Sequence, residues 1–264
     1  HPELLDWLAR EFLAQGGSIK KLHRLIMTSA TYQQASSRPV LSESVISKSV
    51  FSRAPGSKPA TTDLLKTDTL MTDHWQRASA TDADNRLLWH YPLRRLEAEA
   101  VRDAMLSVSG QLNPQLGGPS FRPFTVFVSN SHFYNLTNPT GPEYNRRTVY
   151  RAVVHSGKDP LLDSLDCPDP STKTPVRGMT TTPIQALGMM NNSFVQRQTR
   201  HFADRLNKEA GESVPAQIKL GYRLAFGRAP NADELARTTE LARHDGLESV
   251  CWVLLNASEF LYVK

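Results

Sequence analysis

The most constraining feature of the sequence is a helix start at Thr182. Its hydroxyl can cap the helix, and Pro183 occupies the first helical position, where the missing backbone N–H costs nothing. Gln185 stands at the third helical position, from which its side chain can bond back to the cap residue. The mostly apolar residues that follow, up to Asn191, predict a short buried helix.

A long loop is predicted to lead into this helix. Asp166, Asp169 and the prolines beside them favour neither a helix nor a central strand, and Arg177 lies further along the same segment. Loops that end on a well-capped helix often carry binding or catalytic residues. The alternative interpretation is a structural loop whose charges are merely solvated, which is the more common case.

Apolar residues recur at helical spacing through much of the chain, and glycines or capping residues mark the ends of these runs. Asn231 and Glu234 form a capping pair that starts one helix, and Gly246 is expected to end it. These patterns predict helices over residues 3–15, 18–27, 93–108, 194–206, 215–226, 231–245 and 247–260.

The rest of the chain contains two candidate strands and one irregular region. Residues 124–128 alternate as a short strand does, and residues 150–154 are a second candidate that fits a helix almost as well. Serine, threonine, lysine and proline dominate residues 35–84, which predicts an irregular or partly disordered insertion with a short helix near residues 63–75.

The predicted fold class is therefore mainly α, a compact multi-helix domain with a small β element and an irregular Ser/Thr-rich insertion. Three regions are expected along the chain. Residues 1–34 form an N-terminal helical hairpin, residues 35–84 the insertion, and residues 85–264 the main helical domain.

The charge balance allows a polyanionic partner without requiring one. The 264 residues include 31 lysines and arginines against 26 aspartates and glutamates, a formal net charge of +5. The basic residues are dispersed, and no helix-turn-helix or aromatic platform indicates nucleic acid. No stretch has the apolar length of a membrane span, and dinucleotide, Walker and nucleophile-elbow motifs are missing from the sequence.

The sequence predicts no metal site. Its eight histidines lack tight ligand spacing, and its two cysteines, Cys167 and Cys251, form no Cys-x-x-Cys motif. Asp163, Asp166 and Asp169 supply oxygens of the kind that calcium prefers, yet the glycine and glutamate of an EF-hand loop are missing. The two cysteines could form a disulfide in an oxidising compartment, although the apolar run around Cys251 favours a buried core thiol.

Arginines accumulate in the chain, and two interpretations of them remain open. Guanidinium groups suit carboxylate or sulfate, so several that converge would form an anion site. Alternatively they pair internally with acidic residues, and Arg95 is spaced to pair with Glu99 at i,i+4. The arginines concerned are Arg94, Arg95, Arg146, Arg147, Arg151 and Arg177, and the candidate internal partners are Glu97, Glu99, Asp166 and Asp169.

Several segments resemble one known family. In chain order they read HPELLDWLAREF, KKLHRLIMTSATYQQAS, NRLLWHYPLRRLEAEAVRDAMLSVSGQL, RRTVYRAVVHS, LDCPDP, TTTPIQALGMMNN, FGRAPNADEL and LLNASEFLYVK. They resemble the C-terminal domain of unknown function, the PSD-one family, of large planctomycete and verrucomicrobial surface proteins. Family members usually have further sequence before the first segment, so the chain is expected to lack the N-terminal part of its domain. Residues 36–84 are also longer than the link that the family would have there.

The resemblance implies an exported bacterial protein, in the periplasm or at the cell surface, with upstream domains that often include a cytochrome c-like module. A haem would then lie in such an upstream domain, and no cofactor is expected in this chain. Because family members commonly accompany sulfatases and carbohydrate-binding modules, the resemblance also suggests sulfated or acidic polysaccharide as a partner. It supplies no catalytic residue.

Two functions are predicted as alternatives. The first is a binding or scaffold module for anionic polysaccharide or for partner domains. The second is part of a glycan-acting enzyme, a hydrolase or a haem-linked oxidoreductase, whose catalysis needs the upstream domains. The hypothesis for a ligand site rests on residues that match the family's motifs, and these are Arg146, Arg147, Tyr150, Asp166, Asp169, Arg177, Thr182, Gln185 and Asn191.

Overall fold

The structure, a computed structural model, describes residues 1–34, 36, 75–155 and 157–263. It divides into two units, His1–Arg94 and Arg95–Val263. Most of the insertion predicted over residues 35–84 lies outside the described residues, as does the short helix predicted near residues 63–75 apart from Trp75.

The first unit begins with a helical hairpin, as predicted. Its helices are α1 (Pro2–Ala14) and α2 (Ile19–Met27). Gly16, with a φ of 76°, follows α1 in a left-handed conformation that costs glycine little. Ser18 caps α2 by accepting a hydrogen bond from the backbone N–H of Lys21.

Residues 75–81 are helical, in contrast to the irregular structure predicted for them. Trp75 packs edge-to-face on Trp89, with ring centroids 4.8 Å apart. The Trp89 indole N–H donates to the backbone carbonyl of Asp82 at 2.8 Å. This aromatic pair gives the short helix a tertiary partner that the local composition does not indicate.

The second unit is mainly α-helical, as predicted. Its helices in the described residues are α3 (Ala98–Val108), α4 (Pro160–Ser164), α5 (Pro183–Asn191), α6 (Ser193–Ala210), α7 (Val214–Phe226), α8 (Ala232–Asn256) and α9 (Ser258–Leu261), with 3-10 turns at Pro142–Tyr144 and Thr148–Tyr150. Buried side chains of α3, α6, α7 and α8 form its core, which includes Met105 and Phe202. Among the helices that the structure describes, none combines the length and hydrophobicity that a membrane crossing requires.

The predicted helix starts at Thr182 and Asn231 are confirmed, but the prediction that α5 is buried is wrong, since only Gln185 and Met189 of its residues are buried. Thr182 and Gln185 form a reciprocal capping box at the start of α5, and Asn231 and Glu234 form another at the start of α8. Gly246 has φ 84° and ψ 165°, so it interrupts α8 where the sequence predicts one helix to end and the next to begin.

Replacing Thr182 with alanine is expected to lower the free energy of unfolding by about 1 kcal/mol, because the backbone N–H of Gln185 loses its acceptor. Thr182→Ser keeps the hydroxyl and should stay close to the wild type. Chemical denaturation monitored by circular dichroism measures both variants. Equal stability of the alanine and serine variants would show that the cap contributes nothing.

The described residues form two small sheets, each of two strands. β2 (Phe124–Val128), which was predicted, pairs antiparallel with β3 (His132–Leu136), which was not. The other sheet joins β1 (Arg94–Arg95) and β4 (Tyr262–Val263).

One predicted helix start and one predicted strand are wrong. The helix predicted from residue 93 begins only at Ala98, because the preceding residues are extended and the N–H of Leu96 bonds to the carbonyl of Leu261. The strand predicted at residues 150–154 does not form. The N–H of Tyr150 is used in a 3-10 turn, and the residues after it form isolated bridges, Arg151 with Phe121 and Val154 with Gly157.

Candidate functional site

The predicted residues Asp166, Thr182 and Gln185 belong to a hydrogen-bonded network around Arg95. The Arg95 guanidinium lies 2.7 Å from the Asp166 carboxylate and donates to Gln185 Oε1 at 2.9 Å. Gln185 Nε2 and the backbone N–H of Thr180 also donate to Asp166 Oδ2, at 3.0 and 2.7 Å. Although burial alone would raise the pKa of Asp166, the bonds from Thr180 and Arg95 lower it below its ordinary value of 3.8. The network holds Asp166, at the start of the loop that precedes α5, close to Gln185 in the first turn of that helix.

Arg177 lies in a second group, with acidic residues at the start of α3. Its Nη1 is 2.8 Å from Glu99 Oε2 and 3.3 Å from Glu97 Oε2. The predicted pair between Arg95 and Glu99 is therefore wrong, because Arg95 precedes the helix and pairs with Asp166 instead. For Arg95 and Arg177, the contacts are those that the internal-pairing interpretation predicts.

Arg146 and Tyr150 form a third group, which holds a turn at Gly117. Arg146 is buried and donates to the backbone carbonyls of Pro119, at 2.7 Å, and of Gly117. Its guanidinium carbon lies 4.0 Å from the centroid of the Tyr150 ring, and the Tyr150 hydroxyl accepts from the N–H of Gly117 at 2.9 Å. These contacts support the turn rather than leave the guanidinium open to a ligand.

The remaining predicted residues have other partners. Arg147 Nε lies 3.3 Å from Asp103 Oδ2, and Asp169 Oδ2 lies 3.3 Å from Lys158 Nζ. Asn191 donates to a carbonyl one turn earlier in α5. The predicted residues therefore belong to separate hydrogen-bonded groups, and the structure does not bring all of them together around one ligand.

The three aspartates considered for calcium do not share a site. Asp163 and Asp169 both pair with Lys158, at 3.4 and 3.3 Å, whereas Asp166 pairs with Arg95. In the part of the chain that the structure describes, no three histidine, cysteine or acidic side chains are grouped as metal ligands would be.

Both cysteines are free thiols, so the disulfide considered from the sequence is not formed. Cys251 is fully buried in α8, as predicted for a core thiol, and burial raises its pKa to about 12. Burial, together with the negative charge of Glu99, raises the pKa of Cys167 to about 11. Neither thiol is activated as a nucleophile at neutral pH.

The second unit contains a cavity of about 190 Å³ that the sequence does not indicate. We call it the basic cavity, and its defining residues are Arg102, Phe121, Asn138, Arg151, Phe194 and Arg197. Among the described residues, three arginines and one aspartate line it, an excess of two positive charges. Its walls come from α3, the base of the β2–β3 hairpin, α4 and the start of α6.

Arg102 is a buried cation in the wall of the basic cavity. It is 5% exposed and donates to the backbone carbonyls of Tyr144, at 2.8 Å, and of Arg146, at 3.1 Å. The carboxylate of Asp103 is 3.8 Å away, too far for a direct hydrogen bond. Burial, and then the positive charge of Arg151, lowers the pKa of Arg102 to about 10. The surrounding carboxylates therefore compensate its charge only in part.

Phe194 contacts two of the guanidinium groups. Its ring centroid lies 5.2 Å from the guanidinium carbon of Arg102 and 5.7 Å from that of Arg197. The ring centroid of Phe121 also lies 5.5 Å from the guanidinium carbon of Arg102. Such cation–π contacts favour the observed positions of the guanidinium groups without neutralising their charge.

The start of α6 opens into the basic cavity. Asn192 caps the helix by accepting from the N–H of Phe194 at 2.9 Å. Asn138 donates to Ser193 Oγ at 2.7 Å and accepts from Arg197 Nη2 at 2.8 Å. Because α6 has 18 residues and its N-terminal end carries a partial positive charge, the helix adds to the field of the arginines.

The one aspartate of the basic cavity is already engaged. Asp159 Oδ2 lies 2.8 Å from Arg151 Nη2, and Asp159 Oδ1 accepts from the N–H groups of Leu161 and Leu162, both at 3.0 Å. The Asp159 carboxylate therefore both pairs with Arg151 and caps α4. It leaves Arg197 and Arg102 without a directly bonded carboxylate partner among the described residues.

Sequence reasoning missed Arg102 although a signal was present. Ala98, Val101, Arg102 and Met105 follow the spacing i, i+3, i+4, i+7, and all four are buried. A charged residue inside the apolar stripe of a helix requires internal partners or a ligand. Arg197 has no such signal, because its role depends on the approach of Asn138 from a distant segment.

Fold and site together define a mainly α-helical domain with an arginine-lined cavity. The family described as "PSD1: Protein of unknown function (DUF1553)" matches residues 1–242, and the chain belongs to this family. This match confirms the family that the sequence motifs indicate. Comparison with curated proteins finds no match, and neither does comparison with solved structures.

Proposed function

We propose that this domain binds anionic polysaccharide and that the basic cavity receives one of its sulfate or carboxylate groups. The observation that supports the proposal is that three arginines and the start of α6 converge on one cavity. Guanidinium groups and helix N-termini are the donors that proteins commonly use for anions. The proposed ligand position is thus different from the predicted group of motif residues between Arg146 and Asn191.

An anion in the basic cavity would relieve an unfavourable electrostatic arrangement. Burial and the charge of Arg151 lower the pKa of Arg102, and burial also lowers the pKa of Arg197. Both shifts mean that the charged form of the arginine is destabilised by its surroundings. A bound sulfate or carboxylate would stabilise these charged forms, and the gain would appear as binding free energy.

The other polar groups of the basic cavity suit a hydroxylated ligand. Thr137, Asn138 and Asn145 place hydroxyl and amide groups in its lining. With about 190 Å³, the cavity has room for a charged substituent and part of a sugar ring rather than for a length of polymer. The rest of a polysaccharide chain would have to lie outside it.

The proposal also covers the cellular setting. We place the domain in an exported bacterial protein, in the periplasm or at the cell surface, where upstream domains are its covalent partners. A haem, where the parent protein has one, would belong to those upstream domains. The resemblance to planctomycete and verrucomicrobial surface proteins supports this part of the proposal.

The exchange Arg197→Gln is expected to weaken binding of chondroitin 6-sulfate by about 10- to 100-fold, because hydrogen bonds to charged groups contribute about 1.5–3 kcal/mol. Isothermal titration calorimetry at low ionic strength measures the dissociation constant, with neutral dextran as the ligand control. The wild-type affinity should also fall as sodium chloride is raised, since salt screens charges.

Arg200→Gln is the matched control, because it removes the same charge from the same helix. Arg200 is exposed and its Nε lies 3.2 Å from Glu248 Oε1, outside the basic cavity. This variant should bind nearly as the wild type does. The proposal fails if the wild type binds dextran as well as chondroitin 6-sulfate, if it binds neither, or if both variants lose the same affinity.

A further inference from the structure

We infer that the ligand of the basic cavity is an extended glycan chain whose sugar rings pack along one face of the β2–β3 hairpin. The inference rests on the proposed function, because the cavity would hold an anionic substituent of the same chain. The inference adds a second contact surface, the hairpin, and it predicts that affinity depends on the length of the glycan chain. Binding in the cavity alone would require neither.

The register of the hairpin defines two faces. Paired residues share a face, and successive side chains along a strand alternate between faces. Phe124 pairs with Leu136, Val126 with Tyr134 and Val128 with His132, and these six residues form what we call the cavity face. The opposite face carries the pairs Thr125–Asn135 and Phe127–Phe133.

The cavity face continues from the wall of the basic cavity into solvent. Leu136, at its base, lines the cavity. Further along, Val126 is 48% exposed and Val128 is 61% exposed. The ring of Tyr134 packs edge-to-face on Phe124, with centroids 5.5 Å apart, and is half-buried. Contiguous exposed apolar surface can form an interaction site, and four residue steps of strand extend this face by about 13 Å from the cavity.

The chemistry of the hairpin favours a glycan over other extended partners. Residues 124–136 contain no lysine, arginine, aspartate or glutamate. An anionic membrane surface would call for basic residues around the apolar ones. An extended peptide is usually held through backbone hydrogen bonds at a strand edge, whereas the cavity face offers side chains. A sugar ring has an apolar C–H face for aromatic and aliphatic side chains, and its anionic substituents lie at the ring edge.

The test compares chondroitin 6-sulfate oligosaccharides of different length on matched variants. Tyr134→Ala alters the cavity face, and Phe133→Ala removes a neighbouring aromatic ring from the opposite face. The wild type should bind the hexasaccharide about tenfold more tightly than the disaccharide. In Tyr134→Ala the hexasaccharide should bind only slightly more tightly than the disaccharide, by the small statistical factor that arises because it contains several disaccharide units. The affinity for the disaccharide should be the same as in the wild type. Phe133→Ala should keep the wild-type ratio, and the thermal midpoint of each free variant shows that it is folded.

The possible outcomes separate this inference from the proposed function. If the disaccharide binds and Arg197→Gln weakens it, but length has no effect in the wild type, the hairpin inference alone is wrong. Equal loss of the length effect in Tyr134→Ala and Phe133→Ala would also overturn it. If neither oligosaccharide binds, or if Arg197→Gln leaves both affinities unchanged, the proposed function fails and the hairpin inference fails with it.

Discussion

Replacing Arg95 with methionine is expected to lower the free energy of unfolding by about 1–3 kcal/mol, the range for leaving buried hydrogen-bonding groups without their partner. Arg95 is 6% exposed, and its guanidinium donates to Asp166, Gln185 and the carbonyl of Leu165. Without it, the partly exposed Asp166 carboxylate, Gln185 Oε1 and the carbonyl of Leu165 each lose one hydrogen bond. Urea denaturation monitored by circular dichroism measures the change.

Arg94→Met is the matched control for this prediction. Arg94 is the exposed neighbour of Arg95 in β1, so its replacement should change stability by no more than about 0.5 kcal/mol. Because the pKa of Asp166 is lowered in the folded state, its contribution is present above its ordinary pKa of 3.8 and is lost as pH falls through the lowered value. The difference between wild type and Arg95→Met should therefore narrow in that acidic range. Equal stability of the two arginine variants at neutral pH would contradict the network.

The exchange Phe202→Ala is expected to lower the free energy of unfolding by about 3–5 kcal/mol, the range for truncating a buried phenylalanine. Phe202 is fully buried in α6. A Cβ added to Gly221 of α7 would lie 3.9 Å from its ring and 3.2 Å from Leu254, so these helices approach closely at this point. Tight packing leaves little freedom to collapse around the lost ring.

Denaturation with guanidinium chloride measures the loss of unfolding free energy. Phe202→Leu is the control, because leucine keeps most of the apolar volume. The leucine variant should lose clearly less stability than the alanine variant. If both variants unfold at the wild-type midpoint, the contacts between α6, α7 and α8 do not form the core described above.

Elements whose signals are local could be predicted from the sequence. The capping box at Thr182 and the break at Gly246 each depend on residues within one helical turn, so the pattern of the chain is enough to place them. β2 was predicted from alternation alone. Its partner β3 was missed because the pairing depends on the turn between them.

Features that depend on distant partners could not be predicted. Arg95 is extended because β1 pairs with β4 at the far end of the chain, and its side-chain partner Asp166 lies 71 residues away. The guanidinium of Arg102 is held in the cavity wall by hydrogen bonds to two backbone carbonyls that lie 42 and 44 residues away in the chain. Residue spacing therefore suggested Glu99 as the partner of Arg95, and it gave no reason to place Arg102, Arg151 and Arg197 in one site.

The internal-pairing interpretation holds for some of the arginines that the sequence singled out, whereas the proposed anion site uses a largely different set. Arg95 and Arg177 pair internally with Asp166, Glu97 and Glu99. The arginines that line the basic cavity are a different set, of which only Arg151 had been considered from the sequence. The distinction follows from burial and hydrogen-bond partners, which residue type alone does not determine.

A crystal structure of the domain with bound chondroitin 6-sulfate disaccharide tests the central claim most directly. The account predicts the sulfate or the carboxylate of the disaccharide in the basic cavity, within about 3 Å of donors on Arg197 and at the start of α6. A disaccharide bound elsewhere on the domain, with Arg102, Arg151 and Arg197 making no contact to it, would contradict the account.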